Sequence, residues 1–545
     1  MSHGSKRWVV VVLIYADFRK NVVAFDEDTA SDLTRQMKRT LNSLFEDLLS
    51  TAMDPMRSRM FVIMNSIDYH DSDSDRTTAG TLLFKVGNPD RLHHNRIIES
   101  VVIDRDRGTQ AAPDPENAVQ TPQLLQRILT EYVRVRQDEE VLFLTWDHGS
   151  SFGIFREVDH GFSAVRNPLG HDLNDYPYLA HFWNTVHAQE RDGDRTTLTE
   201  MYGLSDGCER RGPQAAETIT AETGCQALPV SANVREILTN AELGRVLTCW
   251  LNPEADAENQ RDAKKVAVLL MMNCWMMNFH TMFALKDAVE CLVAPQGAID
   301  TPGYNYKAVL SFLSDEKRGD ISARDLAVKC VTTMDCTQMR KRSEDLRADR
   351  RDMSDHWKVF AVDLQSRRDD NELVIDSNIR ALESVAGTLT DAIRTDGQPL
   401  TDFFTAARMV SHDFTKASAL EKPGFMVDIV NWLELLHGLS SFNAPYQPFP
   451  VIERSSILYE IFELIKEFRR NPLILAETSG SKIYSNSYSV AGRPTGYSLF
   501  FPDSYSNDQN LIDNVRKDQL LRMLPNWEKF LKTVYPGIVW RAFFD

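Results

Sequence analysis

Two short blocks in this chain carry side chains able to do covalent chemistry: Trp146-Asp147-His148-Gly149-Ser150 and Asn273-Cys274. A free thiol has a pKa of about 8.5, and the thiolate is the species that attacks. A nearby imidazole can take that proton or stabilise the anion, then protonate a leaving amine. Gly149 lets backbone approach a substrate closely. Its N–H, together with that of Cys274, can bind a developing oxyanion. The pattern after the cysteine predicts a helix over Trp275 to Ala288, whose positive dipole end would favour the thiolate further. Both residues also have plainer readings. A cysteine at a strand end serves as inert packing, and a histidine before glycine serves as a turn residue. The residues alone leave these open.

Each block closes an apolar run. Val141 to Thr145 precedes the histidine and Val266 to Met272 precedes the cysteine, both reading as strands buried on two faces. Sites in open α/β sheets form at the carboxyl ends of strands. If the two strands are neighbours, imidazole and thiol face one crevice. Further strands are expected at Val9 to Ile14, Met60 to Met64, Thr81 to Val86, Cys291 to Ala294 and Tyr497 to Phe501. Helical periodicity marks Thr29 to Leu49, Leu124 to Val135 and Asn233 to Leu247. Alternation of this kind implies an α/β fold, a mostly parallel sheet flanked by helices, with right-handed crossovers.

The organisation expected is a core over residues 1–314, a charged helical region over 315–423 and a C-terminal α/β region over 424–545. Within the core, about 157–230 lacks sustained periodicity and reads as a long polar insertion. The mixed run Arg340 to Arg351 reads as a solvated helix face.

Composition removes several classes. The chain has 545 residues, 43% hydrophobic and 26% charged, an ordinary globular balance. A net charge of −17 argues against nucleic-acid binding, which needs a basic surface. No apolar run approaches the roughly 20 residues that span a bilayer. Trp8 to Tyr15 is followed by Asp17, Arg19 and Lys20, so it reads as a strand rather than a signal peptide, and a cytoplasmic protein is expected. Seven irregularly spaced cysteines make no disulfide framework. Cys274 with His280 lacks a second pair of metal ligands. Asp71, Asp73 and Asp75 alternate like the start of a calcium loop, but Arg76 stands where such a loop needs glycine and Leu82 where it needs glutamate. No cofactor is required on this reading, and calcium is the one option left open.

The blocks together resemble the clostripain-like family of caspase-fold cysteine peptidases. The resemblance is spread over WVVVVLIYAD (Trp8 to Asp17), LFLTWDHGSSFG (Leu142 to Gly153), LTNAELGRVL (Leu238 to Leu247), VAVLLMMNCWMM (Val266 to Met277), VAPQGAIDTPGYNY (Val293 to Tyr306) and TGYSLFFP (Thr495 to Pro502). It implies a caspase-like sheet and a cysteine endopeptidase with His148 as general acid/base and Cys274 as nucleophile, acting on a protein or peptide. The family usually carries Asp two residues before the cysteine, to hold a basic side chain of the substrate, and Glu six residues after it. This chain has Met272 and His280 there. Asp300, in the segment that shapes the family's substrate pocket, is the remaining carboxylate for a basic residue. The same departures suit an alternative, an inactive or weakly active relative kept as a regulatory or binding protein. Members of the family are often matured by a cut between the two strands. That interval holds Arg210-Arg211-Gly212-Pro213, and an activating partner protein is a further option.

Overall fold

The structure is a computed structural model that describes residues 7–16, 44, 47, 48, 50, 51, 58–71, 76–87, 96–102, 122–147, 149, 151–154, 238–253, 263–297, 299, 303–315, 320–334, 358–411, 425–441, 455–469, 473–479, 494–502, 509–536, 538 and 540–544. The expectations on the 157–230 insertion, the run 340–351, and His148, Asp300, Asp73 and Asp75 lie outside the described residues, as does most of the helix expected over 29–49.

The strands are β1 (Arg7–Ala16), β2 (Ser58–Asp71), β3 (Arg76–Gly87), β4 (Arg96–Val102), β5 (Glu139–Trp146), β6 (Gly153–Ile154), β7 (Leu238–Thr239), β8 (Val266–Met272), β9 (Val289–Pro295), β10 (Lys358–Asp363), β11 (Met426–Asp428), β12 (Ile474–Ser479) and β13 (Ser498–Phe500). Nine of them form one sheet, in the order β12-β10-β9-β8-β5-β1-β2-β3-β4. The five central strands, β9 to β2, run parallel. Antiparallel pairs extend the sheet at each edge, β10 with β12 and β3 with β4. The expected α/β sheet flanked by helices is what forms.

The parallel strands are apolar throughout because both faces are covered. Side chains alternate between faces. Val9, Val11 and Leu13 of β1 join one core with Val141 and Phe143 of β5 and Leu269 and Met271 of β8. Trp8, Val10, Val12 and Ile14 join the other with Leu142, Leu144, Leu270 and Met272. The first core is covered by helices α1 (Pro122–Tyr132), α2 (Asn240–Leu251) and α3 (Phe279–Leu285), and the second by α4 (Tyr306–Ser314) and α5 (Ala323–Thr332).

The stretch expected to be charged and helical does hold helices, α5, α6 (Val374–Asp396) and α7 (Gln398–Val410), but it also supplies β10. All six residues of β10 are buried, Lys358 and Asp363 at its ends included. Further along come α8 (Ile429–Ser441), α9 (Ser455–Arg469), α10 (Gln509–Lys517), α11 (Gln519–Arg522), α12 (Pro525–Val534) and α13 (Arg541–Phe544). Around Phe501, the rings of Trp432 and Trp527 stand edge-on at 5.2 Å each. These side chains belong to the same core as β1, β5 and β8. That core includes side chains from both sides of residues 314 and 423.

Candidate active site

β5 and β8 are adjacent and parallel, and their last paired residues are Trp146 and Met272. Asp147 and Asn273 follow these strand ends directly. The adjacency on which the sequence argument depended is thus observed. His148 lies outside the described residues, but Gly149 after it is described and lies against the cysteine. A Cβ built on Gly149 would come within 2.2 Å of the Cys274 carbonyl oxygen and 3.0 Å of its amide nitrogen. Only glycine fits there.

Buried amides tie the two loops together. Asn273 accepts from the Thr145 hydroxyl at 2.5 Å and donates to the Asp147 carbonyl at 3.2 Å. Ser151 takes a left-handed conformation, φ 68°, and turns its carbonyl into the interior. That oxygen accepts from the side chains of Asn240 at 3.0 Å, Asn278 at 3.1 Å and Thr281 at 3.3 Å. Asn278 also donates to the Trp275 carbonyl at 2.7 Å and caps α3 by accepting from the Thr281 N–H at 2.8 Å.

The helix after the cysteine begins later than expected. Trp275 adopts φ 62°, a left-handed conformation that costs a non-glycine residue about 1–3 kcal/mol, and α3 starts only at Phe279. The group delivered to the sulfur is a different one. The Ile299 N–H donates to Cys274 Sγ at 3.3 Å, and the thiol in turn donates to the Ile299 carbonyl at 4.0 Å.

The segment carrying Ile299 forms the opposite wall. Its Pro295 carbonyl accepts from the Met277 N–H at 2.8 Å and its Gly297 carbonyl from the Trp275 N–H at 2.9 Å. Between them, the buried Gln296 side chain donates to Asp428 and to the Ser498 hydroxyl, each at 2.9 Å, and accepts from the Gly496 N–H at 2.9 Å. The Asp428 carboxylate, wholly buried, accepts in addition from the Thr495 N–H and hydroxyl, both at 2.6 Å, and the Asn431 N–H at 3.1 Å.

The cysteines separate by environment. Cys274 is partly exposed, whereas Cys291 and Cys330 are buried. Desolvation pushes the Cys291 thiol far up and that of Cys330 up to about 12, which keeps both protonated and inert. Met272 is buried against Gly303, whose φ is 82° and whose added Cβ would come within 2.7 Å of the Met272 side chain. An apolar chain packed under glycine thus fills the position where the family has a carboxylate. His280 is committed to structure: its Nε2 accepts from the Phe500 N–H at 3.0 Å, so its Nδ1 carries the proton given to Asp518 at 3.0 Å.

Ile299, Gln296, Asp428 and Asn278 were not found from sequence. Only Asn278 left a local signal, an N-cap residue ahead of an apolar helix. Among the described residues no group of three or more His, Cys, Asp or Glu side chains is placed to hold a metal, and no helix is long and apolar enough to cross a membrane.

No protein-family model matches the chain, and no curated protein matches it. Solved structures do. One is an inactive zymogen C11 protease from Parabacteroides distasonis, 9% identical, with a TM-score of 0.43 over 99% of this chain and 99% of that one. Another is a secreted C11 cysteine protease from Bacteroides thetaiotaomicron in complex with an irreversible peptide inhibitor. It is 10% identical, with a TM-score of 0.45 over 96% of this chain and 98% of that one.

Proposed function

We propose that this chain is a cysteine endopeptidase that hydrolyses peptide bonds through an acyl-enzyme on Cys274, with His148 as general acid/base. The observation that carries the reading is the placement of Cys274. It stands at the end of a central parallel strand beside the strand that leads to His148, with a backbone N–H on its sulfur. The thiolate adds to the substrate carbonyl carbon, and the oxyanion is held by the N–H groups of Gly149 and Cys274. The imidazolium then protonates the departing amine. Water, losing a proton to the imidazole, next attacks the thioester and frees the acid. Asp300 would favour a basic residue before the cleaved bond. Self-cleavage within 157–230 would open the site.

The test is a peptide-library cleavage assay of the wild type beside Cys274→Ala, with intact mass followed during incubation. Wild-type cleavage that falls to background in Cys274→Ala supports the reading. Turnover by Cys274→Ala at the wild-type rate sinks it. A second reading, a binding or regulatory protein of the same fold, draws on Met272, which is packed into the core where a substrate-binding carboxylate would stand. Peptide binding without cleavage by the wild type would favour it.

A further inference from the structure

We propose that Gln296 is a positioning residue for Cys274: clamped by Asp428, Ser498 and Gly496, it holds residues 295–297 so that the Ile299 N–H stays on the sulfur. The proposal rests on Cys274 being the nucleophile. Gln296 sits between the two carbonyls that hold the nucleophile turn, Pro295 on Met277 and Gly297 on Trp275. Its own N–H donates to the Lys358 carbonyl of β10 at 2.9 Å. Its side chain points the other way, into the C-terminal region, where three of its four amide bonding positions are filled.

Four protein groups therefore meet this one residue, from β10, β11, β13 and the turn at Gly496. A strand end held on every side cannot drift relative to its neighbours. Three residues on, Ile299 presents its N–H to Cys274 Sγ at 3.3 Å. The hydrogen bond weakens steeply with distance and angle, so a shift of a few tenths of an ångström in this segment changes how well the thiolate is stabilised. The buried Asp428 carboxylate strengthens the clamp, because hydrogen bonds to an ionised acceptor are stronger than neutral ones. The Gln296 side chain spends its hydrogen bonds on Asp428, Ser498 and Gly496, so its role is to position.

The experiment reads the thiol directly. The full chain is treated with iodoacetamide from pH 5 to 10, and alkylation of Cys274 is followed by peptide mass spectrometry. Three variants are compared with the wild type. Gln296→Leu keeps the volume and removes all three side-chain hydrogen bonds. Ser498→Ala removes one of them. Phe404→Leu opens a core cavity on α7, where the ring packs against Trp432 and Phe530. The expected result for Gln296→Leu is a midpoint raised by about one pH unit, with alkylation at pH 7 slowed about tenfold. Ser498→Ala should move in the same direction by less, and Phe404→Leu should keep the wild-type profile. A wild-type profile in Gln296→Leu overturns the proposal, as it does in Ser498→Ala should Gln296→Leu not fold. An equal shift in Phe404→Leu also overturns it, since any loosening of the region would then suffice. Alkylation does not depend on peptide cleavage. A shifted profile in a chain that cleaves nothing would count against the peptidase reading alone, and an unshifted profile in an active peptidase against the clamp alone.

Discussion

The loop after β5 and the segment after β9 flank the same sulfur, yet the first is tied by neutral amides to backbone carbonyls and the second by a buried carboxylate. Asn240, Asn273 and Asn278 hold the first through the Ser151 and Asp147 carbonyls. All three come from elements next to β8. Such bonds contribute about 0.5–1.5 kcal/mol each, and their loss is local. The second wall depends on Asp428, Thr495 and Ser498, which come from the far C-terminal part of the chain. Charge-assisted bonds are roughly twice as strong, and removing the carboxylate strands several donors at once. One wall is built with the sheet, and the other is added to it.

The largest expected effect tests the first wall at its closest point. Gly149→Ala should lower peptide cleavage by about a hundredfold or more, because the new methyl group must displace the Cys274 backbone. Cleavage within threefold of wild type would show that this contact does not set the geometry. On the second wall, Asp428→Ala should cost about 3–5 kcal/mol in urea unfolding, since the Gln296 amide and the Thr495 and Asn431 N–H groups lose their acceptor inside the protein. A cost under about 1 kcal/mol would remove the carboxylate from its central role. Asn278→Ala should cost less, about 2 kcal/mol, for a lost cap and two lost amide bonds. The contrast between the walls fails if Asn278→Ala proves the costlier of the two. The smallest effect is an expected absence. A thiol with a pKa of about 12 is ionised in roughly one molecule in ten thousand at pH 8, so Cys330 should stay unlabelled in the native protein while Cys274 reacts. Labelling of both at similar rates would contradict the distinction between them.

What could be read from sequence follows the same division. The runs at Val9, Val141 and Val266 are continuous and apolar because both faces are covered, and they stand in the structure as β1, β5 and β8. The ends of β5 and β8 were legible too, since the chemistry-bearing residues follow them directly. β10 was not, because KVFAVD is short, polar at both ends and preceded by a highly charged run that reads as helix. The left-handed turn at Trp275 hid the true start of α3, since a tryptophan gives no sign of that conformation. Gln296 and Asp428 were invisible for a plainer reason: the partners stand 132 residues apart, and nothing local marks a contact of that span.

The wide spacing of the second wall also orders events in time. Ser498 follows Gln296 by 202 residues, and at about 5–20 residues per second a ribosome needs roughly 10–40 seconds to make that stretch. For that interval the strand bearing Cys274 exists without the clamp, and Phe500, 220 residues after His280, has not yet been added to α3. Long-range pairings of this kind also form slowly once the chain is complete. A nascent chain thus carries its thiol for at least that interval before the surroundings that position it are assembled.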